Sequence, residues 1–78
     1  MNAQTTSNWE LLHPTIRHIA ETTLTPKQLT AYRLHHNGIS THNIAILLRI
    51  TRRAVRDRLA EADVKILAHP DYPTEDTT

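Results

Sequence analysis

The sequence predicts a small all-α domain of about four helices, and three observations predict it. Apolar residues recur at helical spacing, and no strand-like alternation persists anywhere in the chain. Helix starts and stops are punctuated: Thr25-Pro26, Ser40 and Thr51 read as starts, and Gly38 and Pro70 read as stops. The 78 residues include no cysteine, which removes disulfides and thiolate metal sites as staples. So short a chain has room for one modest core and must rest on helix packing or self-association.

In chain order, residues 1–7 are polar and small and read as a flexible tail. A helix is expected near 8–23, with Pro14 able to break it, and Trp9, Leu11, Leu12, Ile16 and Ile19 supply its apolar side. Thr25, Pro26 and Gln28 then provide an N-cap, a first-turn proline and a capping-box partner for a helix over about 26–37. Gln28, Ala31, Tyr32 and His35 form its expected inward face, flanked by Leu24 and Leu34, and Gly38 can adopt the left-handed conformation that ends it. Ser40 caps a third helix over about 41–48, and Thr51 caps a fourth that runs to about Ala68. Only Arg49 and Ile50 separate those two helices, so they must cross steeply. In the fourth, Val55, Leu59, Ala62 and Ile66 keep to one face, and Glu61 and Lys65 form an i,i+4 pair. The last stretch, 69–78, carries two prolines and three acids and reads as a flexible acidic tail, leaving 8–68 as the helical domain.

Several function classes drop out. With one glycine there is no Gly-rich phosphate loop, and serine, histidine and carboxylate cannot be grouped without inventing the geometry. Six histidines show no zinc spacing and no H-E-x-x-H, so no metal, no cofactor and no enzymatic activity is expected. No apolar run approaches the roughly 20 residues of a membrane span, and MNAQTTSN lacks the regions of a signal peptide, so a cytoplasmic protein is expected.

Charge is divided unevenly. Residues 25–60 hold Lys27, Arg33, Arg49, Arg52, Arg53, Arg56 and Arg58 against Asp57 alone, in a chain whose net charge is only +1. A basic region confined to one part of a domain is what a polyanion-binding face requires. With Val55 turned inward, Arg53, Arg56, Asp57 and Ala60 point outward and Arg52 and Arg58 flank the buried stripe. A B-form major groove admits one helix, and guanidinium bridges O6 and N7 of guanine, so this ridge suits base contacts by Arg53 and Arg56 and phosphate contacts by Arg52 and Arg58. Asp57 can accept from a cytosine amino group or orient Arg53 or Arg56.

Gly38-Ile39-Ser40, Ile44-Ala45, Leu48, Ile50-Thr51, Ala54-Val55 and Leu59 resemble the helix-turn-helix of sigma-factor region four and of LuxR-type regulators, roughly G-[LI]-S-x-x-x-I-A-x-x-L-G-[IV]-[ST]-x-x-[TA]-V-x-x-x-L. Leu24-Thr25-Pro26-Lys27-Gln28 is similar to the opening helix of those families, so the resemblance spans about residues 24–66. It implies that the helix from Thr51 is a recognition helix, that Arg52, Arg53, Arg56 and Asp57 occupy base- and phosphate-contacting positions, and that Ala45 is the small residue at the helix crossing. Arg49, Thr51, Arg58, His42 and Lys27 complete the DNA-contacting set expected around that helix.

The chain departs from the pattern in two ways. Arg49 stands where those families usually have glycine, in a turn where positive φ is common. Ile46 and Leu47 fall where they carry exposed polar residues, so the third helix is unusually apolar outside and calls for a cover, either the N-terminal helix or a second copy of the chain. A second apolar stripe, Ala60, Val64 and Leu67, lies on the outward face beyond the arginines and favours self-association over a tail folded back across it. Two functions follow as expectations. One is a small transcriptional repressor or activator of a phage or mobile element that binds double-stranded DNA as a homodimer. The other is a sigma-like interaction module that binds RNA polymerase or another protein through Ile46, Leu47, Val64 and Leu67.

Overall fold

The computed structural model describes residues 8–73, and among these there are five helices and no strand: α1 (Asn8–Leu11), α2 (Pro14–Thr23), α3 (Pro26–His36), α4 (Thr41–Leu48) and α5 (Arg52–Leu67). The expected tail over residues 1–7 lies outside the described residues, as does the end of the acidic segment over 74–78.

The count rises from four to five because the first helix divides at Pro14. Proline cannot donate to the preceding turn and drives the residue before it into an extended conformation. His13 is extended (φ −48°, ψ 129°), and its Nδ1 accepts from the Thr15 amide at 3.1 Å to cap α2. The remaining starts form as the sequence predicts. Thr25 and Gln28 make both halves of a capping box at 3.2 Å each, Ser40 Oγ accepts from the Asn43 amide at 3.1 Å, and Thr51 Oγ1 accepts from the Ala54 amide at 3.0 Å. Each cap contributes about 1 kcal/mol.

Helices α3 and α4 end in the same paired cap, in which a left-handed residue donates to a carbonyl three back and its successor to one five back. At Gly38 (φ 86°) the bonds are Gly38 to His35 (3.0 Å) and Ile39 to Leu34 (3.2 Å). At Arg49 (φ 58°, ψ 46°) they are Arg49 to Ile46 (3.3 Å) and Ile50 to Ala45 (3.0 Å). The second cap carries a Cβ where the first has none. That Cβ costs about 1–2 kcal/mol in the left-handed region, against roughly 0.5–1 kcal/mol for the extra chain entropy of glycine. Arg49→Gly is therefore expected to stabilise the fold by about 0.5–1 kcal/mol, a rise of roughly 2–8 °C in Tm by calorimetry. An unchanged or lowered Tm would show that the turn has relaxed around its arginine.

Apolar residues gather in two clusters joined by α3 and α5. The larger holds Trp9, Ile19, Ala20, Leu24, Tyr32, Ala62 and Ile66, with Leu12, Ile16, Leu29 and Tyr72 packed on it. The smaller holds Ile44, Ala45 and Val55, with Leu34, Ile39, Leu48, Ile50 and Leu59 around them. Burying each of Ile19, Ile44, Val55 and Ile66, all at or below 2 % exposure, contributes about 1.5–3 kcal/mol. Ala45 lies buried in the smaller cluster with Val55, which suits a close crossing of α4 and α5.

Gln28 fastens α3 to α5. Its side chain is buried, its Nε2 donates to Glu61 Oε1 at 3.1 Å and its Oε1 accepts from Lys65 Nζ at 2.8 Å. The two charges expected to pair along α5 thus meet through a third side chain, which satisfies a polar group that would be costly to bury alone.

Three expectations need correcting. His35 is exposed, and His36 takes the inward place, because it follows the buried Tyr32 by four residues on the same face and packs against that ring and Trp9. The N-terminal helices do not cover α4: α1 packs on α3 and α2 on α5, leaving Ile46 61 % and Leu47 60 % exposed. Residues 69–73 are part of the packed domain, because Tyr72 turns back onto the larger cluster and its amide donates to the His69 carbonyl at 3.0 Å.

Candidate nucleic-acid interface

The candidate interface is built on the first two turns of α5. Thr51 caps them, Val55 is fully buried beneath them, and Arg52, Arg53, Arg56 and Asp57 all stand exposed. Anchoring by Val55 fixes which side of the helix faces out, so the arginine ridge follows from the 3.6-residue period and one buried valine. The positive end of the helix dipole lies at the same place, adding to the field the guanidinium groups create.

Arg49 adds a further exposed cation in the turn just before α5, held there by the left-handed cap. His42 is exposed in the first turn of α4. Lys27 and Arg58, thirty-one residues apart, line one open concavity of about 380 Å³ together with Pro26, Thr30, Leu48 and Ile50. No acidic side chain lines it. The sequence marked Lys27 and Arg58 one by one. Their meeting depends on how α3 packs against the α4–α5 turn, which no local pattern encodes.

One cation counted in the basic segment, though exposed, makes a contact within the fold. The Arg33 guanidinium lies 5.4 Å from the centroid of the Trp9 ring, a cation–π contact. Trp9 is 2 % exposed, meets Tyr32 edge-on at 5.9 Å, and its backbone amide donates to Asn37 Oδ1 at 2.7 Å. His36 completes this cluster, 4.4 Å from Tyr32 and 6.4 Å from Trp9 between ring centroids. Burial, then the neighbouring His35, lowers the pKa of His36 below its usual 6.5, with Asp63 pulling weakly the other way. Burial also pushes the Tyr32 hydroxyl up to about 12, helped by Asp63 and Tyr72.

The residues assigned to assembly or partner contact are all exposed: Ile46, Leu47, Ala60, Val64 (67 %) and Leu67 (62 %). Leu11, expected on the apolar side of the N-terminal helix, is a further exposed apolar side chain at 71 %. Among the described residues no helix is long and apolar enough to cross a membrane. No protein-family model matches the chain, and no curated protein or solved structure matches it either.

Proposed function

We propose that the chain is a small regulator that binds double-stranded DNA in a sequence-specific way, with the N-terminal half of α5 in the major groove. The carrying observation is the exposed ridge of Arg52, Arg53 and Arg56 on a helix whose other side is anchored by Val55. Arg53 and Arg56 have the chemistry to bridge guanine edges, and Asp57 to accept from cytosine. Arg49, Arg52, His42 and the Lys27–Arg58 concavity are suited to phosphates on either side of the groove.

The test is electrostatic. With about four to six phosphates contacted, log K should fall against log salt with a slope near −4 to −5, at about −0.9 per phosphate. Anisotropy titrations of labelled duplexes across a salt series measure it, and a slope near zero would remove this reading. Added zinc or chelator should leave the affinity unchanged.

Exposed Ile46 and Leu47 on α4, together with Val64 and Leu67, favour a second reading. In it, the domain docks on another protein, RNA polymerase being one candidate, through this apolar surface. Salt-insensitive binding to such a partner, with no DNA affinity, would support it.

A further inference from the structure

We propose that the outer face of the C-terminal half of α5 is a self-association surface on which two copies of the chain pair with these helices antiparallel. Ala60, Val64 and Leu67 lie within one narrow arc of the helix, all exposed, beside a shallow, nearly wholly apolar concavity of about 300 Å³ lined by Ala60, Glu61, Val64 and Lys65.

The occupant follows from the charges at the rim. Glu61 and Lys65 border the apolar arc on the same flank, and both are held in place by Gln28. Each keeps bonding capacity, because Glu61 has a second carboxylate oxygen and the Lys65 ammonium has further protons. A twofold axis that runs two helices antiparallel brings like flanks together. With the axis near residues 63 and 64, Ala60 faces Leu67 of the second copy, Val64 packs near the axis, and Glu61 falls beside Lys65 of the second copy. Parallel pairing instead sets Glu61 against the flank that carries Asp63. The surface is therefore complementary to itself in one orientation.

Self-association is measured without DNA, so its failure is distinct from a failure of DNA binding. Sedimentation equilibrium from one to about one hundred micromolar should show a monomer–dimer transition. Val64→Asp or Leu67→Asp, exposed in the monomer and harmless to its helicity by circular dichroism, should raise the dimer dissociation constant more than about tenfold by burying an unpaired carboxylate. Glu61→Lys should also weaken the dimer, and adding Lys65→Glu to it should restore it, an outcome that a merely apolar contact does not give. Wild type that stays monomeric throughout, or a Leu67→Asp variant with the mass distribution of wild type, overturns the proposal. A dimer that survives Glu61→Lys unchanged overturns the antiparallel register.

Discussion

Replacing Trp9 with alanine is expected to cost about 3–5 kcal/mol, the usual range for a buried tryptophan. A chain of this size commonly has about 4–12 kcal/mol in total, so the variant stands at the edge of folding. The loss is large because α1 has four residues and cannot hold helical structure alone. Its docking depends on the Trp9 ring against Tyr32 and His36, the Arg33 guanidinium over that ring, and the amide bond to Asn37. Urea unfolding followed by circular dichroism measures the cost, and a loss below about 1 kcal/mol would show that α1 is not docked as described.

The same experiment has a pH arm. The pKa of His36 is lowered in the folded protein, so as pH falls through 6.5 the unfolded chain takes up a proton that the folded one resists. Stability should therefore decline from pH 6.5 down to the folded-state pKa and change no further on that account below it. Trp9→Ala opens the pocket around His36 and should flatten this decline.

On the functional side, the largest expected effects fall on Arg53 and Arg56. If they read bases, Arg53→Ala or Arg56→Ala should cost roughly 1–3 kcal/mol at a preferred site and relax one base position, with little change on random DNA. Arg52→Ala and Arg58→Ala should weaken all sequences alike and reduce the salt slope by about one each. Selection of a preferred site from random duplexes, followed by competition titrations with each variant, separates the two patterns. Equal losses on preferred and random DNA for all four variants would mean that the helix holds the backbone without reading bases.

Features encoded within a few residues were legible in the sequence. The caps at Thr25, Ser40 and Thr51, the stop at Gly38, the break at Pro14 and the inward stripe Val55, Ala62, Ile66 all depend on local chemistry, and the fold contains each of them. The positive φ at Arg49 was expected only from the resemblance, in which glycine usually holds that position, and not from local chemistry. What escaped the sequence depends on distant partners. Trp9 meets the end of α3, Tyr72 turns back onto the larger cluster, and Gln28 ties Glu61 to Lys65. The exchange of His35 for His36 has a local origin instead, since both positions, three and four residues beyond Tyr32, satisfy a helical period and only the second packs on that ring.

Along the length of α5, Val55 is gripped by the smaller cluster, while Ala62 and Ile66 are gripped by the larger. A rod clamped at two stations cannot spin about its own axis. Turning by one residue, about 100°, would carry charged side chains into both clusters at once. The heading of the arginines is therefore governed as firmly by Ile66, three turns away, as by the nearby cap at Thr51. Deleting one residue between Val55 and Ala62 would leave both grips apolar but set them about 100° out of phase, so either the ridge or the far half of the helix would have to face the wrong way. In this sense α5 acts as a keyed shaft, transmitting an angle from one core to the other.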